Sequence, residues 1–350
     1  MASAQPSHVD PAKDTSSIRT ENDGVHDESH VIGRPPRSHW IYRSLHTGPY
    51  FDLTRPSNPY PPPCPPYSVT LTSIPTPLTS PPSTFTIDPD HTALVIIDMQ
   101  NFFLSPALGR DPSGPGHMAM QTLLQGTIPA CRRAGIRIIW LNWGVTEQDI
   151  LEMPAATLKG FGGLEAFQRD EERKEQTDVE GESLKYTKPS RIYRGFGAPM
   201  GIVKLENGVE MDAGRLLMPD QWNSSLPPLL DKTYREGAKS RSKPDVWIHK
   251  NRMSGMWNPS TPASEFLRRD GIQTLLFSGV NTDQCVGGTL VDAYNMGWDC
   301  VLVKDACGTG TPSGKEVTEW NVGRSWGFVV ESKAVESGVE GMMRAREVES

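Results

Sequence analysis

The sequence predicts an α/β fold, a three-layer α/β/α sandwich built on a mainly parallel sheet. Short apolar runs that are typical of buried strands alternate along residues 92–331 with segments of helical periodicity. Two of these runs end on a charged side chain, and a third leads into a helix that begins beside a cysteine. Such alternation implies right-handed crossovers between parallel strands, with helices covering both faces of the sheet.

Six strands and three helices make up the predicted sandwich, which is Rossmann-like. The strands are expected at residues 92–97, 137–142, 245–250, 274–280, 299–304 and 327–331, and the helices near 117–134, 261–269 and 283–297. The last helix is indicated by Val286, Leu290 and Ala293 at positions i, i+4 and i+7, and Gly297 ends it. The sheet is therefore expected to be six-stranded.

Two N-terminal segments are expected to lie outside this domain, which is assigned to residues 91–350. Residues 1–38 are polar and charged, a composition that predicts a disordered tail. Residues 39–90 are rich in proline, which lacks an N–H donor and fixes φ, so an extended arm is expected. The aromatic residues of this arm leave two interpretations open: packing on the core or on a neighbouring subunit, or a loosely ordered tail.

A long insertion interrupts the predicted domain at residues 144–243. About 100 residues exceed an ordinary connection in a compact domain. Within it, residues 163–187 are charge-dense and predict a solvated helix followed by a loop, and residues 191–218 predict short strands around a turn at Asn207–Gly208. An insertion beside the strand ends could be a substrate-selecting lid or an oligomer contact.

Composition favours a cytoplasmic enzyme. The formal net charge of −7 and the pI near 5.7 argue against nucleic acid or an anionic membrane as a partner. No segment approaches about 18 uninterrupted apolar residues, and the first residues contain no hydrophobic signal core. Five cysteines, an odd number, fit a reducing compartment better than a disulfide framework.

Cys285 is the leading candidate nucleophile. It follows the apolar run at residues 274–280 and lies in the first turn of the next predicted helix. There the positive end of the helix dipole and free backbone N–H groups are expected to favour thiolate over thiol and to offer donors to an oxyanion. The alternative is that Cys285 is a small buried hydrophobic residue, which is the usual state of cysteine.

Asp98 and Lys250 each close another predicted strand. Because the carboxyl ends of parallel strands meet at one edge of the sheet, both are expected to converge with Cys285. Together they would form a base, a cation and a nucleophile in one place. Taken singly, Asp98 could cap a following turn, and Lys250 could be a surface charge at a strand end.

Three motifs resemble the isochorismatase-like cysteine hydrolase superfamily: ALVIIDMQNFF, VWIHKNRMSGMWNPS and GVNTDQCVGGTLVDAYNMGWDCVLVKDACG. The resemblance covers roughly residues 92–332 and implies a catalytic triad of Asp98, Lys250 and Cys285. It also implies a cis peptide bond between Val280 and Asn281, and an oxyanion hole formed by the backbone N–H groups of Asn281 and Cys285.

The resemblance implies hydrolysis of a C–N bond, in an amide or ureido group of a small molecule, through a thioester on Cys285. Two alternatives stay open. One is vinyl-ether hydrolysis of the isochorismatase type, driven mainly by acid catalysis from the Asp. The other is a non-catalytic member that keeps the fold as a binding module, with the arm and the insertion as contact surfaces.

No metal and no cofactor are expected. Nicotinamidases of the superfamily carry a metal-binding Asp/His cluster after the second strand, whereas the corresponding segment here, WLNWGVTEQD, contains no histidine. The other histidines are scattered and lack the spacing of metal ligands. Nicotinamidase activity is therefore disfavoured.

Substrate-binding candidates are chosen by their position next to the triad. The aromatic ones could instead belong to the core, and the arginines, which could bind a carboxylate, could be surface charges. They are Phe103, Trp143, Trp257, Asn258 and Arg252, with Arg191 and Arg194 as further arginines. The expected partners are a small-molecule substrate and further copies of the chain, as a homo-oligomer that is a dimer or a tetramer.

Overall fold

The structure is a computed structural model that describes residues 29–36, 38–45, 48–55, 67–75, 82–162 and 195–349. Its strands are β1 (Ser29–Arg34), β2 (Ser38–Leu45), β3 (Gly48–Asp52), β4 (Val69–Thr72), β5 (Thr84–Ile87), β6 (Thr92–Ile97), β7 (Arg137–Trp143), β8 (Ile202–Lys204), β9 (Glu210–Asp212), β10 (Val246–Lys250), β11 (Thr274–Val280), β12 (Asp299–Gly308) and β13 (Phe328–Val330). Its α-helices are α1 (Asn101–Leu104), α2 (Pro115–Thr122), α3 (Ile128–Ala134), α4 (Glu147–Leu151), α5 (Ala155–Gly160), α6 (Pro228–Gly237), α7 (Pro262–Arg269), α8 (Gly287–Asn295), α9 (Pro312–Asn321) and α10 (Ser332–Glu349).

A six-stranded sheet in the order β10-β7-β6-β11-β12-β13 forms the centre, and all its neighbouring strands are parallel. This confirms the predicted parallel sheet. From β6 the chain first moves to one side, through β7 and β10, and then to the other, through β11, β12 and β13. In open parallel sheets such a reversal creates a crevice at the carboxyl ends of the strands.

Helices cover both faces of this sheet, as the three-layer prediction requires. Every residue of β6 is buried, with Ala93, Val95 and Ile97 in one hydrophobic cluster and Leu94 and Ile96 in the other. One cluster is completed by α7 and α8, and the other by α3, α6 and α10. Burial on both faces explains why the strands are continuous apolar runs rather than alternating patterns.

The N-terminal region differs from the expected extended arm. It forms a second sheet in the order β1-β2-β3-β5-β4, and β1 begins inside the segment for which disorder is expected. The prolines do not prevent this pairing, because β4 and β5 contain none and β3 has one only at its second residue. Residues 1–28 lie outside the described residues.

This second sheet packs on the chain's own core, which decides between the two interpretations of its aromatic residues. The rings of Trp40 and Phe51 each lie 5.6 Å from that of Phe328 in β13, and Phe85 stacks on Phe328 at 4.0 Å. On the other side, Gly338 of α10 lies against the backbone of β4, where a Cβ would collide. The second sheet is thus an integral part of the fold.

A buried ion pair connects this sheet to the start of β12. The guanidinium of Arg55 contacts both carboxylate oxygens of Asp299 at 2.8 Å, with side chains only 6% and 5% exposed. The indole N–H of Trp40 donates to the same carboxylate at 2.8 Å. Burial raises the pKa of Asp299, and the Arg55 charge acts against that rise.

We predict that Arg55→Ala lowers the free energy of unfolding by about 3–5 kcal/mol, because it leaves the buried Asp299 carboxylate without its cation. Urea unfolding followed by circular dichroism measures the change. Arg235→Ala, which removes an exposed pair with Asp231 on α6, is the matched control and should leave the unfolding curve in place. A variant at Arg55 that unfolds like the wild type would contradict this role.

The described parts of the insertion are packed into the core. The predicted turn at Asn207–Gly208 is confirmed: it connects β8 to β9, and the N–H of Gly208 donates to the carbonyl of Leu205 at 2.9 Å. Met153, Phe196 and Met200 are buried in the same cluster as the face of β6 that carries Val95. The charge-dense segment 163–187, Arg191 and Arg194 lie outside the described residues.

Among the helices of the described ranges, none combines the length and the apolar character needed to cross a bilayer. Cys131, Cys300 and Cys307 are free thiols buried in the core.

Candidate active site

Asp98, Lys250 and Cys285 lie together at the carboxyl ends of β6, β10 and β11. Asp98 directly follows β6, Lys250 is the last residue of β10, and Cys285 lies in a π-helical turn, Thr282–Val286, after β11. Their exposures are 0%, 3% and 5%. The strand-end pattern of the sequence thus brings the three side chains to one buried position.

Asp98 is fixed by its backbone and by its neighbours. Its φ of 54° lies in the left-handed region, which non-glycine residues rarely adopt, although Asp tolerates it better than most. Its N–H donates to the carbonyl of Leu141 at 3.1 Å, and its Oδ1 accepts the N–H of Trp143 at 3.2 Å. The following helix, α1, has Gln100 as its N-cap, so Asp98 is not used as a helix cap.

Lys250 is an internal cation rather than a surface charge. Its Nζ lies 3.0 Å from Oδ2 of Asp98. It donates hydrogen bonds to the carbonyl oxygens of Arg252 at 3.2 Å and Met253 at 3.1 Å. The same ammonium lies 3.7 Å from the centre of the Trp143 ring, within the range of a cation–π interaction. Lys250 is therefore held by an anion, two carbonyl dipoles and an aromatic face.

The backbone between β11 and Cys285 allows a close approach to β6. Gly279 has a φ of 111°, and a Cβ at this position would collide with the backbone of Ile97, directly before Asp98. One residue further along, the peptide bond between Val280 and Asn281 is cis, as the resemblance implies. Glycine at position 279 thus lets the strand that leads to Cys285 come against the strand that leads to Asp98.

Burial dominates the pKa of both reactive groups. It raises the pKa of Asp98, while the Lys250 charge and a hydrogen bond from Cys285 act to lower it. Burial also raises the pKa of the Cys285 thiol to about 12, and the Lys250 charge acts against the rise. The expectation that the helix N-terminus favours a resting thiolate is therefore wrong, because desolvation outweighs the helix dipole here. The thiol needs a base to react.

The five substrate-binding candidates are found in different surroundings. Trp143 is fully buried, and Phe103 is half-buried beside Phe102. Trp257 is 47% exposed, with the Arg252 guanidinium 5.2 Å from its ring centre. Asn258 uses its Oδ1 to accept the N–H and hydroxyl of Ser260. Trp257 and Arg252 are thus close to each other and to the carbonyls that hold Lys250, whereas Asn258 orders a local turn.

Gln100 is a site residue that the sequence reasoning missed. Its Nε2 donates to the carbonyls of Trp143 at 2.8 Å and Ser224 at 2.7 Å, and its Oε1 accepts the Trp143 N–H at 3.0 Å. It thereby connects the loop after β6 to the end of β7 and to the insertion. The signal was available, because Gln100 belongs to the motif ALVIIDMQNFF.

We predict that activity survives prolonged dialysis against a strong chelator. Within the described ranges, no group of three or more His, Cys, Asp or Glu side chains is placed to hold a metal ion. Hydrolysis assayed before and after dialysis, with total metal content measured in parallel, checks this. Loss of activity that zinc or iron restores would contradict it and would favour metal-dependent chemistry of the nicotinamidase type.

Comparison with known proteins supports the resemblance. Residues 210–332 match the family model of the isochorismatase domain. That range contains Lys250 and Cys285, whereas Asp98 lies outside it, and over it the resemblance seen in the sequence is confirmed.

Similar solved structures include three bacterial proteins. An isochorismatase family protein from Desulfovibrio vulgaris subsp. vulgaris str. Hildenborough is 20% identical, with a TM-score of 0.46 over 71% of this chain and 98% of that chain. A cysteine hydrolase from Pseudomonas syringae pv. phaseolicola 1448A is 17% identical, with a TM-score of 0.46 over 73% and 95%. The nicotinamidase from Bacillus subtilis is 18% identical, with a TM-score of 0.45 over 69% and 99%.

Proposed function

We propose that this protein, which is isochorismatase-like over residues 210–332, is a cysteine hydrolase that cleaves a C–N bond in an amide or ureido group of a small molecule. The observation that carries the proposal is the buried ion pair between Asp98 and Lys250 beside the Cys285 thiol. A base, a cation and a nucleophile in one buried place are the components of covalent acyl transfer.

The proposed reaction begins with proton transfer. Asp98 accepts the thiol proton while the Cys285 sulfur attacks the carbonyl carbon, and the Lys250 ammonium offsets the negative charge of the pair. The resulting tetrahedral oxyanion accepts hydrogen bonds from the backbone N–H groups of Asn281 and Cys285. One such donor contributes about 3–4 kcal/mol to the transition state in other enzymes.

Two further steps complete the proposed reaction. Asp98 returns its proton to the leaving nitrogen as the C–N bond breaks, which releases ammonia or an amine and leaves a thioester on Cys285. Asp98 next takes a proton from water, whose oxygen attacks the thioester carbon, and the thiol is restored. A carboxylic acid, or the carbamic acid of a ureido substrate, is the second product.

The cost of burying these groups argues against a non-catalytic member of the superfamily. Taking two charges out of water costs several kcal/mol per ion, and an apolar pair of the same volume would often be equally stable or more stable. Asp98 and Lys250 have side-chain exposures of 0% and 1%. A catalytic role explains why this costly ion pair is kept. A non-catalytic binding scaffold would have no such reason to keep it.

Vinyl-ether hydrolysis is the second candidate, and one observation favours it. Burial raises the pKa of Asp98, which makes that carboxyl group a better proton donor near neutral pH. That reaction does not need a thiol. The contact between Cys285 and Asp98 therefore supports C–N hydrolysis as the first candidate.

The insertion contacts the proposed active site through aromatic residues. Phe161 and Phe196 from the insertion contact the Trp143 ring, which in turn contacts Lys250, so the insertion could set substrate choice. We further propose a cytoplasmic homo-oligomer with a small-molecule substrate and without nucleic acid or membrane partners.

An ammonia-release screen tests the proposed function. Ureido acids, carboxamides and biuret-like compounds are incubated with the purified chain, and isochorismate is assayed in parallel by loss of its enol ether. Ammonia or amine release that requires Cys285 supports the first candidate. Turnover of isochorismate alone, which persists in Cys285→Ala, would replace it with the second.

A further inference from the structure

The indole N–H of Trp143 is one of several buried polar groups that have no ordinary hydrogen-bond partner within the described residues. Trp143 is fully buried, and its Nε1 meets no acceptor at hydrogen-bonding geometry within the described part of the chain. Five other indoles do have acceptors. Among them, Trp40 donates to Asp299, Trp140 to Asp245 and Trp298 to the carbonyl of Ile272. An unpaired buried donor is costly, so its retention requires an explanation.

The Trp143 side chain lies among all three triad members. Its ring faces the Lys250 ammonium at 3.7 Å, and its backbone N–H donates to Oδ1 of Asp98 at 3.2 Å. Its side chain also interacts with the Cys285 thiol, in the sense that lowers the pKa of that thiol. One residue therefore contacts the base, the cation and the nucleophile.

We infer that Trp143 is a fourth catalytic residue, whose indole N–H stabilises the Cys285 sulfur as that sulfur loses its proton. The inference deepens the proposed function and rests on it. A neutral thiol is a weak acceptor, whereas a thiolate accepts strongly, so the hydrogen bond gains most of its strength only when charge develops on sulfur. A donor that is placed in advance for a developing charge lowers the barrier rather than only binding the ground state.

Neighbouring rings hold the indole in place. Phe161 lies 5.0 Å from the Trp143 ring at an edge-to-face angle, and Phe196 lies 5.0 Å from it on a tilted plane. Both come from the insertion, and Phe196 is itself buried. A ring that is held by these contacts loses little conformational entropy during the reaction.

Two charged groups, Lys250 and Asp98, act on the pKa of the Cys285 thiol. The Lys250 charge lowers its pKa, and Asp98 raises it both by its charge and by its hydrogen bond. The two charges act on this pKa in opposite directions, and burial, the largest cause, disfavours the thiolate. A neutral donor such as the Trp143 indole can stabilise the sulfur anion without adding net charge to the site.

Trp143→Phe tests the inference, because phenylalanine is smaller but keeps an aromatic face for Lys250 and has no N–H. Alkylation of Cys285 by iodoacetamide is measured in the full chain from pH 6 to 10, with mass spectrometry to identify the modified cysteine. We expect alkylation to slow by about 10- to 100-fold across this pH range, as loss of a hydrogen bond to a charged group predicts. In the hydrolysis assay, kcat should fall while KM changes little.

Trp140→Phe is the matched control. Trp140 lies three residues away on the same strand, is equally buried, and its indole N–H donates to Asp245 on the opposite face of the sheet. It should keep the wild-type alkylation profile even if it lowers thermal stability. Trp143→His, which restores a ring N–H, should alkylate faster than Trp143→Phe, and it is the test variant if the phenylalanine variant does not fold.

Wild-type alkylation rates in Trp143→Phe across this pH range, or equal rates in the histidine and phenylalanine variants, would overturn the inference. The proposed function fails in a different way. Absence of any hydrolysis in the substrate screen would contradict the hydrolase proposal while leaving the alkylation result for Trp143 unchanged.

Discussion

Cys285→Ala should abolish amide hydrolysis, with a fall in kcat of about a thousandfold or more, while the protein remains folded. The magnitude follows from covalent catalysis, because loss of a nucleophile in other hydrolases removes nearly all the rate that the catalytic group provides. The fold should tolerate the change, since alanine is smaller than cysteine and is the best helix former. Initial rates on an amide substrate from the screen, together with thermal unfolding, measure both effects.

Cys131→Ala is the matched control for this prediction. Cys131 is fully buried in α3, and burial raises its pKa to about 12, as for Cys285, but among the described residues no charged group shifts that pKa. Its replacement should change stability more than activity. Retention of more than a tenth of wild-type hydrolysis in Cys285→Ala would exclude the thioester mechanism, whereas acid-catalysed ether cleavage by Asp98 could survive.

The position of the triad could be predicted from sequence because it depends on strand ends. TALVIID and DVWIHK are short apolar runs closed by a charge, and in a parallel sheet their ends share one edge whatever the intervening chain does. The strand order, with β6 between β7 and β11, places Asp98 between the other two strand ends. The contacts between side chains, such as the 3.0 Å approach of Lys250 to Asp98, follow from that order.

The N-terminal sheet was not predicted because residues 39–90, taken as a whole, are rich in proline. Val69 and Leu71 in β4, and Phe85 and Ile87 in β5, alternate with threonine or lie beside it, and all four are buried. That alternation is a strand signal. Its partners, β13 and α10, lie more than 200 residues away along the chain, so local reasoning could not show what these strands pack against.

The protonation state of Cys285 could not be predicted from its place at a helix start. A helix dipole contributes typically 0.3–1 kcal/mol near a surface. Desolvation of a fully buried group can shift its pKa by several units. The burial of Cys285 depends on residues of the insertion and of β7, which are far from Cys285 in sequence. The Trp143 indole is one of these distant groups. Local sequence gives the sign of the dipole effect, but not the size of the opposing effect.

Asp98→Asn and Lys250→Met should each reduce kcat/KM about as much as Cys285→Ala, and the losses should not add. Asparagine keeps the shape of the carboxyl group but cannot accept the thiol proton. Methionine keeps the volume of lysine but leaves the Asp98 carboxylate buried without its cation, which should also lower the free energy of unfolding by about 3–5 kcal/mol. Because the three groups act in one step, removing a second should cost little once the first is gone.

The pH dependence separates the roles of the two charges. Burial raises the pKa of Asp98 and the Lys250 charge lowers it, so Lys250→Met should raise this pKa further and move the acid limb of the kcat/KM profile to higher pH. Rates of the Asp98/Cys285 double variant and pH profiles of Lys250→Met measure both effects. Lys243→Ala, which removes a surface ion pair with Asp90, should leave the profile unchanged. Additive losses in the double variant, or an acid limb that stays in place without Lys250, would show that the groups act independently and would contradict the triad.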